Sequence, residues 1–202
     1  MTRQMRKSIA KAVLLGVVFS AVVVARAQQR SLAGQMDLGI TYAAGHSNFV
    51  SNPSFWMQGG SVELVGHVNY GLAAVADITG FHAGGGASGV PVNLVTDTFG
   101  PRYTVSIAPK GRKHPIALFG QGLIGEAHGF KGLYPGASGA TTSALGFALQ
   151  LGGGADIAVS RHISIRAVQA GWLRTQLPNS TTNVQSDFRI ATGIVLHTTR
   201  HE

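Results

Sequence analysis

The sequence predicts an all-β chain, an eight-stranded antiparallel up-and-down transmembrane β-barrel preceded by a cleavable signal peptide. Three observations predict it. Eight stretches alternate apolar with polar or tiny residues at period 2, the pattern of strands with two unlike faces. The connections between them are short and long in strict turn, the layout of a membrane barrel. The composition is charge-poor and Gly-rich, 12% charged with 28 Gly in 202 residues, where soluble domains average about 25% charged and about 7% Gly.

The first element is the signal. Arg3, Arg6, Lys7 and Lys11 precede the 13-residue apolar run Ala12 to Val24, and Ala25-Arg26-Ala27 supplies small residues before the expected cut at Gln28. As a helix that run reaches only ~20 Å, short of a ~30 Å hydrocarbon core, so cleavage is expected rather than anchoring. The organisation is therefore residues 1–27 as signal peptide and 28–202 as one barrel domain, with strands over about 34–198.

The strands follow in order. Met36, Leu38, Ile40 and Tyr42 alternate with Asp37, Gly39 and Thr41; Val62, Leu64, Val68 and Tyr70 alternate with Ser61, Glu63, His67 and Asn69. Leu145, Phe147, Leu149 and Leu151 alternate with small residues and Gln150; Phe188, Ile190, Ile194 and Leu196 alternate with Arg189, Ala191, Val195 and His197. Weaker versions occupy Leu72–Phe81, Leu94–Ile107, Ile116–Ala127 and Ile163–Leu173. Asn69-Tyr70-Gly71, Ala108 to His114 and Asp156 to His162 read as short turns. Ala43 to Phe55, His82 to Val92, His128 to Ser143 and Arg174 to Gln185 read as long loops. Both termini then lie at the short-turn end, the periplasmic side of such a barrel.

The apolar face is expected to meet lipid, because the other face is small and sparsely charged where a soluble barrel would show Lys and Glu throughout. By parity Asp37, Glu63 and Asp77 point inward, as do Arg102, Arg166 and Arg189. Unpaired charges in a side-chain-filled lumen would be costly, so the six are expected to pair, with Glu63 and Asp77 held by Arg102 and Arg166. Aromatics at the strand ends suggest interfacial girdles: Tyr42, Trp56, Phe81 and Trp172 at the loop end, Tyr70 and Tyr103 at the turn end.

Several chemistries are excluded. Five of the 16 Lys+Arg fall in the first 27 residues, and the other 11 stand against 8 Asp+Glu. The mature excess of +3 is scattered and forms no nucleic-acid patch. Zero Cys removes thiol chemistry and disulfides. The 8 His are isolated, without metal spacing, so no metal and no cofactor are expected. A hydrolytic grouping of Glu126, His128 and Ser143 on the outer rim requires a geometry that sequence does not supply, and the expectation is a non-enzyme.

Particular segments carry a resemblance. Phe99-Gly100-Pro101-Arg102-Tyr103, Leu149 to Asp156, Ile163 to Trp172 and Phe188 to Val195 resemble bacterial outer-membrane β-barrel proteins of the OmpA-like transmembrane-domain type, over roughly residues 34 to 198. The resemblance implies the Gram-negative outer membrane, contact with its lipid, insertion by the barrel-assembly machinery, and no room for the peptidoglycan-binding domain of some relatives. The chain departs from that pattern in three places. It runs past Leu196 with six further residues instead of closing on an aromatic. Pro101 falls mid-strand, where a bulge would have to absorb it. Gln169 breaks outward parity unless a bulge near Ala167-Val168 turns it inward.

The function expected is a monomeric membrane scaffold presenting four external loops of unidentified ligand over a charge-paired, plugged lumen. A narrow pore for ions or small solutes is the alternative, and a soluble secreted lipocalin-like binding barrel a third.

Overall fold

The computed structural model describes residues 34–47, 55–84, 91–107, 114–136, 139–179 and 182–198. The expected signal peptide and the tail 199–202 lie outside the described residues. Eight strands follow in chain order: β1 (Met36–Ser47), β2 (Phe55–Asn69), β3 (Leu72–Ala83), β4 (Val92–Ile107), β5 (Ile116–Gly136), β6 (Gly139–Ala158), β7 (Ile163–Thr175) and β8 (Gln185–His197). Each pairs antiparallel with the next, and β8 returns to β1, closing the barrel. Closure leaves the barrel wall without an open sheet edge, which a sheet requires where water is absent. Thr198 N donates to the Met36 carbonyl at 2.9 Å and Met36 N to Thr198 Oγ1 at 2.9 Å, so the start of β1 and the residue after β8 meet at the short-turn end.

Period 2 becomes facing. Leu38, Ile40, Val62, Leu64, Ile78, Ile165 and Ile194 are 36–59% exposed on the outside. Between them Thr41, Ser61, Glu63, Asp77 and Arg166 are at most 5% exposed. In water this arrangement would be inverted; against lipid tails it is the favourable one. The β2–β3 turn is tight because Tyr70 and Gly71 both take positive φ, +48° and +81°, as a two-residue hairpin turn of this twist demands.

The expected bulge at Ala167-Val168 is present. Arg166 pairs with Gly193 but Gln169 with Ala191, one residue out of step. Gln169 consequently turns inward at 4% exposure and Trp172 outward. Pro101 behaves differently from the expectation. Phe99↔Ile124 and Arg102↔Gln121 keep one register on β5, and only the pairs at Gly100 and Pro101 are missing. The ladder skips the absent N–H without inserting a residue.

Two connections also differ. His128 to Ser143 is no long loop, since β5 and β6 run on as a hairpin to Gly136↔Gly139. It rises past the pairs Asn93↔Phe130 and Ala148↔Thr175, where β4 and β7 stop pairing. Its Gly and Ser residues read as loop signals, but the ladder uses only backbone groups. The second is Asp156, expected to open a turn. β6 continues to Ala158 and carries Asp156 into the barrel.

Candidate functional site

The interior is built in layers from the turn end upward. At the turn-end mouth four side chains from adjacent strands form one hydrogen-bonded chain. His67 Nε2 on β2 meets Asp37 Oδ2 on β1 at 2.7 Å, His197 Nδ1 on β8 meets Asp37 Oδ1 at 2.8 Å, and Ser164 Oγ on β7 meets His197 Nε2 at 2.7 Å. Asp37 is thus held by two His and by none of the Arg residues. A cavity of about 390 Å³ opens beside them, with Val65, Ile116 and Phe119 in its wall and the exposed Ser160 and Arg161 at its mouth.

The next layer is ionic. Glu63, fully buried, accepts from Arg102 Nη2 at 2.5 Å and from Arg166 Nη1 at 2.7 Å. Arg166 also grips Asp156 in bidentate fashion, Nε to Oδ1 at 2.9 Å and Nη2 to Oδ2 at 3.1 Å. Gln121 Oε1 accepts from Arg102 Nε at 2.9 Å. Both guanidinium groups lie over the Phe119 ring, 4.1 and 4.6 Å from its centre, where ring and cation attract. Bidentate, shared and ring-faced contacts of this kind suit Arg's rigid fork.

Asp77 does not join that cluster, contrary to the expected pairing with Arg102 and Arg166. It lies with Arg189, Nη1 to Oδ1 at 3.3 Å, while Thr79 donates to the same oxygen at 2.6 Å. Arg189 donates also to Gln150 at 2.9 Å and to Ser61 at 2.8 Å. This second cluster is less complete, since Asp77 Oδ2 and Arg189 Nε find no partner among the described residues.

Above these charges lies an apolar cluster. Met57, Phe81, Leu94, Leu173 and Leu177 pack with Ala43, Ala127, Ala148 and Ala191. Phe81 is the correction to the aromatic girdle. It shares parity with Asp77 on β3, is 5% exposed, and faces inward. Tyr134, from the protruding hairpin, joins the same cluster. Its ring covers Gly129, where a Cβ would overlap it, and its hydroxyl donates to the Asn93 carbonyl at 3.3 Å. Burial pushes the Tyr134 phenol up to about 12, which keeps it a neutral donor.

Outside, Tyr42, Trp56 and Tyr70 are well exposed, Trp172 less so, and Tyr103 is half-buried. Tyr42 Oη donates to Gln58 at 3.0 Å and Trp172 Nε1 to Ser186 at 2.8 Å, satisfying polar tips on an apolar wall. Asp97 and Glu126 sit opposite each other on β4 and β5, facing out. Below them lie Phe99 and Ile124, both exposed. His128 makes a ring contact with Phe130 and no hydrogen bond to Ser143 or Glu126 among the described residues, so the imagined rim triad is not assembled.

Parity located Asp37, Glu63, Asp77, Arg102, Arg166 and Arg189 on the inner face. It missed Asp156, Gln121, Phe119 and the mouth pair Ser164 and His197, all of which sit on inward positions of weakly alternating or terminal stretches.

Solved structures of the same architecture are similar to this chain. Ail, the attachment invasion locus protein of Yersinia pestis, aligns with a TM-score of 0.55 and 15% identity, over 83% of this chain and all of that one. Neisserial surface protein A aligns with a TM-score of 0.56 and 14% identity, over 81% of this chain and 98% of that one. The chain has the eight-stranded outer-membrane barrel fold. A second structure of Ail, in complex with the heparin analogue sucrose octasulfate, aligns equally fully with a TM-score of 0.54 and 14% identity. No family model and no curated protein sequence matches the chain. At such identities the likeness speaks for the fold alone.

Proposed function

We propose that this barrel resides in the outer membrane as a scaffold that presents its loop-end connections outside, with a lumen closed to solute flow. One observation carries the reading. Two unlike layers lie in series across the interior, the Glu63–Arg102–Arg166–Asp156 cluster and the apolar packing of Met57, Phe81, Leu94 and Leu173 above it. An ion would have to break the first and dehydrate through the second, and each step is expensive in a low-dielectric interior. The protruding β5–β6 hairpin extends the loop-end surface.

Two measurements test this. Fractionation with a heat-modifiability gel should place the folded chain in the outer membrane, free of its first 27 residues. Planar-bilayer recordings of the purified barrel should show no regular conductance steps. Reproducible steps with a defined ion selectivity would put the narrow-pore reading in its place.

A further inference from the structure

We infer that the turn-end mouth is a serine-hydrolase site, with Ser164 as nucleophile, His197 as general base and Asp37 as positioning residue, acting on small carboxylic esters entering from the periplasmic side. The inference goes beyond the scaffold reading and does not depend on it.

Hydrogen-bond polarity fixes where the protons sit. An ionised carboxylate only accepts. Asp37 Oδ1, at 2.8 Å from His197 Nδ1, therefore places the neutral ring's proton on Nδ1. That leaves the Nε2 lone pair facing Ser164 Oγ at 2.7 Å, so the hydroxyl must donate to it. Nucleophile, base and orienting acid thus stand in the order and at the distances that activate a serine. His67, bonded to the other Asp37 oxygen at 2.7 Å, fixes the carboxylate as His197 is fixed. The three strands β7, β8 and β1 are neighbours in the closed barrel, which makes the constellation rigid.

The surroundings suit a substrate. Asp37, His67, Ser164 and His197 all line the cavity of about 390 Å³, large enough for a small ester. Its apolar wall of Val65, Ile116 and Phe119 would take a short acyl chain. Arg102 and Arg166 in its wall are held by Glu63 and Asp156, and Arg161 at the mouth is the cation placed to draw a developing oxyanion. In the reaction Ser164 Oγ attacks the ester carbonyl carbon while its proton passes to His197 Nε2. The carbonyl–alkoxy bond then breaks and His197 returns the proton to the departing alcohol. Water, deprotonated by the same nitrogen, cleaves the acyl-serine and releases the carboxylic acid, restoring Ser164.

The test uses the full mature barrel folded in detergent, its folding verified by heat-modifiability. A fluorophosphonate probe followed by peptide mapping should find Ser164 modified in the wild type, and p-nitrophenyl butyrate should be hydrolysed. Ser164→Ala should abolish both. His197→Gln and Asp37→Asn should each slow hydrolysis ~100-fold or more, the latter because an amide can donate to Nδ1 and so reverse the tautomer. Asp37→Glu should recover part of that loss, which a purely architectural Asp37 would not do. An unmodified Ser164 in the folded wild-type barrel, or hydrolysis unchanged in Ser164→Ala, overturns the inference and leaves the four residues a hydrogen-bonded chain at the mouth.

Discussion

The two halves of the interior solve the same packing problem with opposite chemistry. The turn-end half carries the ionic cluster, with Glu63 between two Arg, Asp156 in a bidentate grip, and a cavity beside the mouth, next to a small apolar group of Val65, Ala73, Val75 and Leu123. The loop-end half packs an apolar cluster, with Phe81, Leu94, Leu173 and Tyr134 at 5% exposure or less, and buries Gln185 and Asp187 beside it. Charges are tolerated below because each finds several partners, whereas above them dispersion and close fit do the work. The difference shows that an inward parity in a small barrel does not mean a polar side chain.

The ionic half is most sensitive at Arg166. Arg166→Ala strands Glu63 and Asp156 in the interior and should destabilise by ~3–5 kcal/mol, measured by urea unfolding in detergent. In that background Glu63→Gln should recover part of the loss, since contacting groups are non-additive. Asp77→Asn should recover none, because Asp77 belongs to Arg189. Equal recovery by both would merge the two clusters into one.

In the apolar half, Phe81→Ala should cost ~3–5 kcal/mol as a cavity in a packed core. An effect below ~1 kcal/mol would mean the residue faces lipid after all. On the outer wall, Leu149→Arg should cost ~2–4 kcal/mol and Met36→Arg, at the turn-end rim, less than ~1. Ala43, by its sequence position a rim residue, is no such control, because it is fully buried among the apolar layer.

The smallest effects concern the hairpin. Gly129→Ala should cost ~1–3 kcal/mol through overlap with the Tyr134 ring, while Gly66→Ala, with open space at its Cβ, should change little. Tyr134 also gives a pH test. Its folded-state value is raised, so its contribution is complete below the ordinary tyrosine value near 10 and is lost as pH rises through about 12. Protection of the amides in β5 and β6 above Phe130, relative to their intrinsic base-catalysed exchange, should fall across that window in the wild type and not in Tyr134→Phe.

Alternation by itself determined the strand number, the outward apolar belt and the inward position of the six charged residues, because a strand's side-chain period is fixed at 2 by backbone geometry. The Ala167-Val168 bulge was legible for the same reason, as a local break in that period at Gln169. Which charges meet was not legible. Glu63 on β2 reaches Arg102 on β4 and Arg166 on β7, across strands that are not neighbours, and only the closed barrel brings their side chains to one level. Ser164, His197 and Asp37 lie up to 160 residues apart in the chain, and their order around the mouth exists only once β8 has paired with β1. The apolar upper half was hidden for a related reason. Met57, Phe81, Leu94 and Leu173 each look like an isolated exception on its own strand, and they become a core only when closure stacks them against one another.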